Sequence, residues 1–102
     1  MRRIGLFCAA LGLAASSAMA GDLVAYDGPD VIRLTDQACI SEALLRQLDP
    51  EVRPLFLTAS AVVQGRRYTA CWSITPTAAY LVYEDGDQGL VPLHRLQVPV
   101  DV

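Results

Sequence analysis

Along the second half of the chain, apolar and polar side chains alternate in short runs separated by turn residues. Tyr68, Ala70, Trp72 and Ile74 interleave with Thr69, Cys71 and Ser73, the period-two pattern of a strand with one face turned to a core. Before this run, Leu55 to Gln64 is rich in Leu, Val and Thr, and Gly65-Arg66-Arg67 reads as the turn between them. After it, Thr75-Pro76-Thr77 turns the chain into Ala79–Tyr83 (AYLVY). Glu84 to Gly89 turns it again into a last strand over Leu90–Val98. Pro92 and Pro99 suit a strand at the sheet edge, where a missing N–H breaks no ladder. These segments predict an antiparallel meander of three or four strands. An N-terminal hairpin precedes it, with Gly21–Tyr26 and Val31–Leu34 as arms and Asp27-Gly28-Pro29-Asp30 as the turn.

One stretch departs from this pattern. Between Thr35 and Leu48, Ile40, Leu44, Leu45 and Leu48 recur at helical spacing. Ser41 supplies an N-cap and Glu42 suits the first turn, although a start near Asp36 also fits. Asp49-Pro50 ends the helix, because the residue before proline avoids helical angles. The fold class is therefore α+β or mainly β: a small antiparallel meander with an N-terminal hairpin and one short helix.

The first residues change what counts as the domain. Arg2 and Arg3 precede an apolar run, Ile4–Ala15, which falls short of the roughly 20 residues needed to span a bilayer. Ser16 and Ser17 follow, then Ala18-Met19-Ala20, whose small residues at the −3 and −1 positions mark a signal-peptidase site. Residues 1–20 read as a cleavable signal peptide and residues 21–102 as one small domain, cut between Ala20 and Gly21 and periplasmic or secreted. Cys8 lies within the apolar run behind bulky Phe7, which disfavours a lipoprotein reading. The hydrophobic fraction of 53% owes much to this leader.

Cleavage also sharpens the charge. All eleven acidic residues follow Ala20, whereas two of the eight basic ones precede it, so the mature chain is more acidic than the formal −3 of the whole. Such a chain lacks the basic face that nucleic acid or anionic lipid requires. The chain has no Lys and no Asn; their codons are AT-rich, which suggests a GC-rich, bacterial genome. Two cysteines remain after cleavage, Cys39 and Cys71, and an even pair in an exported small domain reads as a disulfide. Closing a loop of this length is worth on the order of 3–4 kcal/mol. A core this small supplies only about 3–5 kcal/mol unaided. The wide spacing does not suit a redox pair, which more often reads Cys-x-x-Cys.

No residue set carries a recognisable catalytic pattern. Asp85-Gly86-Asp87-Gln88-Gly89 has the alternating carboxylates and glycines of a Ca²⁺ loop, but it lacks the distal bidentate Glu, and a polar hairpin turn explains it. His94 is the only histidine, and Ser41, Ser60 and Ser73 sit in no nucleophile motif. The many carboxylates fall in turns or at element ends, as solvated charges do. Arg66 and Arg67 form a basic pair at a hairpin tip. Tyr68, Trp72, Tyr80 and Tyr83 form an aromatic set on adjacent strands, a composition typical of binding hot spots. The candidate interaction surface is Arg66, Arg67, Trp72 and Tyr83, with no cofactor and no metal.

Gly65-Arg66-Arg67-Tyr68-Thr69-Ala70-Cys71-Trp72, then Tyr83 to Gly89, then Val91-Pro92-Leu93, resembles a group of short signal-peptide-bearing proteins of proteobacteria and their phages, usually called hypothetical. That resemblance implies export and one disulfide and assigns no site residues. In size and build the chain is also similar, more loosely, to periplasmic lysozyme inhibitors, with no inhibitory loop motif in common. The expected function is a non-enzymatic interaction module whose partner is an envelope or extracellular protein, with no nucleic acid and no stable membrane insertion after cleavage. One alternative is an inhibitor of a cell-wall hydrolase such as lysozyme. Another is a small enzyme using His94 or carboxylates.

Overall fold

A computed structural model describes residues 21–99; the expected signal peptide lies outside the described residues. Six strands form one antiparallel sheet in sequence order: β1 (Leu23–Asp27), β2 (Asp30–Ala38), β3 (Leu57–Val63), β4 (Arg66–Ile74), β5 (Ala78–Tyr83) and β6 (Gln88–Pro92). The meander is thus longer than the three or four strands expected, and the first two segments are part of the same sheet. Beyond β6 a 3-10 helix, Leu93–Arg95, carries the chain back to β1. There Gln97 and Val24 exchange backbone hydrogen bonds of 2.9 and 2.8 Å. The sheet curls into a half-barrel with this bridge across its open side.

The pleat explains the curl. Registers such as Leu34↔Ala59, Ala59↔Ala70 and Ala79↔Val91 place Ala25, Leu34, Ala59, Ala70, Ala79, Leu81 and Val91 in one buried cluster inside the curve. The alanines keep this layer thin, so strands close around it where larger side chains would hold the sheet open. The outer face carries a second cluster of Cys39, Leu44, Phe56, Cys71 and Val82. Helix α1 (Glu42–Gln47) covers it, with Leu44 fully buried. β5 reads apolar throughout because it is covered on both faces. The Cys39–Cys71 disulfide, with Cα atoms 5.7 Å apart, ties the helix entrance to β4. The rings of Phe56 and Tyr80 meet edge to face, 6.1 Å between centroids.

The helix is shorter than its sequence pattern suggests. Thr35 to Ala38 continues β2, and α1 begins only after Ser41, whose Oγ accepts a 3.3 Å hydrogen bond from the Leu44 N–H. Ile40, expected on the buried helical face, lies before that cap and is 81% exposed. The β2–β3 register slips between Leu34 and Ala38, and side chains fill the broken ladder. Thr35 Oγ1 donates to the Thr58 carbonyl and Thr58 Oγ1 to the Ala38 carbonyl, at 2.9 and 2.8 Å. The freed Thr35 carbonyl accepts the Trp72 indole N–H at 2.9 Å.

Three further boundaries move. Gln64 (φ 52°) and Gly65 (φ 80°) both adopt left-handed angles, which makes them the two central residues of a tight hairpin turn. Arg66 and Arg67 therefore open β4 and do not form the tip. The last strand stops at Pro92, and Leu93–Arg95 turns the chain away, so Leu90–Val98 is not one strand. Leu55 likewise belongs to a 3-10 helix, Arg53–Leu55, with Pro54 inside it. Among the described residues, no helix is long and apolar enough to cross a membrane.

Candidate interaction site at the hairpin mouth

Three hairpins, β1–β2, β3–β4 and β5–β6, turn at the same end of the half-barrel. Reading the inward pleat to that end brings together side chains that are distant in sequence. Asp27 pairs with Asp30, Asp30 neighbours Val63 through the β2–β3 register, and Val63 pairs with Arg66. Ala61 pairs with Tyr68 and Ala70 with Tyr83. A groove of about 340 Å³ opens between Val63, Tyr68, Tyr83, Asp85 and Asp87. It adjoins a cleft of about 230 Å³ through the shared Val63. That cleft lies between β1 and β6 and is lined by residues including Tyr26, Asp27, Asp30, Ile32, Leu90 and Arg95.

The mouth is acidic, and among the described residues none of its carboxylates is ion-paired. The two ion pairs within 4 Å among the described residues are Arg33–Asp22 at 2.9 Å and Arg46–Glu42 at 3.8 Å, and neither involves the mouth. Two mouth carboxylates hold backbone: Asp30 Oδ1 accepts from the Gln64 N–H at 3.0 Å, and Asp85 Oδ1 from the Asp87 N–H at 2.9 Å. Burial, and then the negative charges of Asp87 and Asp85, push the Tyr83 hydroxyl above its ordinary pKa of 10.0. Both carboxylates line the same groove as Tyr83. A groove lined by tyrosines and carboxylates attracts a cationic side chain through both ring and charge.

The structure divides the surface expected from the sequence. Tyr83 lines the groove, and Arg67 borders its outer side with Thr69, Glu84 and Asp85. Arg66 is exposed at the start of β4 on the inward pleat. Trp72 lies elsewhere: it packs against the inner cluster with its N–H committed to Thr35. Six residues of strand separate it from Arg66, about 20 Å. Tyr80 points to the opposite face, against Phe56.

The other candidates stand apart. His94 is exposed on the 3-10 helix. The Ser41 hydroxyl donates to Glu84 Oε2 at 2.8 Å while capping α1. No group of three or more potential metal ligands is assembled among the described residues. Asp27, Asp30 and Val63 were absent from the expected surface. The signal that finds them is the hairpin register, which aligns residues flanking successive turns. No protein-family model, curated protein or solved structure matches the chain.

Proposed function

We propose that the mature chain is an exported, non-enzymatic interaction module that receives a basic protein partner at the hairpin mouth. The observation that carries this reading is the groove lined by Tyr68, Tyr83, Asp85 and Asp87, carboxylates with no cation within ion-pairing distance among the described residues. The leader Arg2–Ala20 and the Cys39–Cys71 bridge support export into an oxidising compartment. The acidic mature chain favours encounter with a cationic partner, because complementary charge raises association rates. The exposed position of His94 and the capping role of Ser41 support a role without covalent chemistry.

The acidic mouth also favours a specific second reading, inhibition of a cationic cell-wall hydrolase. Purified lysozyme serves as the probe for both. On the interaction reading, lysozyme binds the mature protein with an affinity that falls as salt rises, and the D85N/D87N variant binds at least several-fold more weakly. Binding that ignores both salt and the two carboxylates would remove the mouth as the site. Undiminished lysozyme turnover at saturating mature protein would dismiss the inhibitor reading while leaving the binding result standing.

A further inference from the structure

The two outer strands of the half-barrel finish their edges differently. On β1, Asp27 pairs with Asp30 across the tight turn, so Val24 and Tyr26 direct their backbone groups away from β2. Val24 is satisfied by Gln97, and the Tyr26 carbonyl accepts from Arg95 Nη2 at 3.0 Å. On β6, the Tyr83 N–H donates to the Asp87 carbonyl and the Leu93 N–H to the Thr77 carbonyl. Alternation between these two bonds directs Gln88, Leu90 and Pro92 away from β5. Pro92 has no N–H to offer, but the N–H groups of Gln88 and Leu90 and the carbonyls of all three lie on an edge that no described strand covers.

Pro92 blunts one end of that edge, but no charge protects the rest. β6 reads Gln-Gly-Leu-Val-Pro, with no charged residue, and Leu90 is 67% exposed. Uncharged free edges are templates for pairing with another chain. Depressions flank the edge on both faces. The seam cleft lies on one side, with Ile32 and Val91 in its wall. On the other, about 340 Å³ opens beside Tyr80, Gln88, Gly89 and Leu90. An added strand sends alternate side chains to opposite faces, and both faces here have room for them.

We propose that β6 captures an extended segment of the basic partner as an added strand, with apolar side chains over Leu90 and Tyr80 and a cationic one reaching Asp27 and Asp30. This rests on the reading of the mouth as the seat of a basic partner. It adds the mode of binding and the form of the ligand. A second copy of this chain fits less well, since each copy brings the same acidic excess to the contact.

The probe is a short valine- and threonine-rich peptide ending in a pair of arginines. It is compared with a glutamate-ended counterpart and with a form N-methylated at alternate residues. Amide hydrogen exchange of the mature protein is read by NMR. Strand addition predicts that the arginine-ended peptide slows exchange at the Gln88 and Leu90 amides, and that N-methylation weakens binding roughly tenfold or more. The L90P variant removes an outward N–H in the same phase as Pro92. It loses the peptide, whereas L90T, which keeps the N–H, retains it; the Trp72 fluorescence of both reports on folding. If the peptide binds in a salt-dependent way but N-methylation and the Leu90 amide are indifferent, strand addition is overturned and the acidic mouth stands. If neither arginine-ended form binds, both readings fall. Protection of Leu90 that grows with protein concentration alone assigns the edge to a second copy and overturns the proposal.

Discussion

Trp72→Phe separates a structural aromatic from a recognition aromatic. The substitution keeps a ring against the inner cluster but removes the N–H that reaches the Thr35 carbonyl at 2.9 Å. That carbonyl lies where the β2–β3 register slips, so no strand neighbour stands ready to replace the donor. Leaving a part-buried acceptor unsatisfied costs about 1–3 kcal/mol. The smaller ring gives up further apolar burial, roughly 1 kcal/mol at the usual area coefficient. The expected loss is therefore about 2–4 kcal/mol, a large share of the stability of a small domain. Urea unfolding of the oxidised mature protein, followed by circular dichroism, reads it as a lower midpoint at unchanged slope. Arg67→Ala is the comparison: it is exposed and outside any ion pair among the described residues, so it should move stability by no more than about 0.5 kcal/mol. Equal, negligible effects of both substitutions would refute the assignment of Trp72 to the fold.

Leu44→Ala empties the only fully buried position of α1 and should cost about 2–5 kcal/mol, measured by calorimetry of the oxidised protein. Replacing Cys39 and Cys71 together by alanine should cost on the order of 3–4 kcal/mol, with denaturant midpoints that no longer respond to reductant. The Tyr83 hydroxyl ionises above its ordinary pKa of 10.0 in the folded state. Its contribution to stability is thus complete below pH 10.0 and is lost as pH rises from there through the raised value. Ultraviolet titration of phenolate, differenced against Tyr83→Phe, should show the shift, and D85N/D87N should reduce it without abolishing it, since burial is the larger cause. Gly86 sits at φ +94° in the β5–β6 turn, and Gly86→Ala should cost about 1 kcal/mol or more by thermal melting.

Strand patterning was legible wherever one face met a core. The alternation at Tyr68–Ile74 located β4, and the paired cysteines located its bridge to the helix entrance. Element ends were less legible, for physical reasons that single residues illustrate. Ile40 has the spacing of a helical core residue, but Ser41 takes the cap and leaves it outside. Gln64 gives no turn signal by type, because its left-handed angle is stabilised by the Asp30 carboxylate from another strand. The same non-locality hid the mouth. Asp27 and Asp30 looked like solvated turn residues, and only the register of three hairpins sets them beside Tyr68 and Tyr83. Conversely, Trp72 resembled its aromatic neighbours in type, and its separate fate follows from a carbonyl exposed by a register slip.

The bridge between Val24 and Gln97 gives the assembly a temporal order. Each hairpin joins neighbours in sequence, so the sheet can grow strand by strand as the chain appears. The first strand, however, waits for a partner from the far end of the described chain. On a chain delivered from its N-terminus, by ribosome or translocation channel, β1 keeps an open edge until Gln97 has emerged. Closure of the half-barrel thus reports that the chain has been made through Gln97. A product truncated before Gln97 would keep its hairpins and disulfide but lack the bridge, leaving both outer strands open to pairing with other chains.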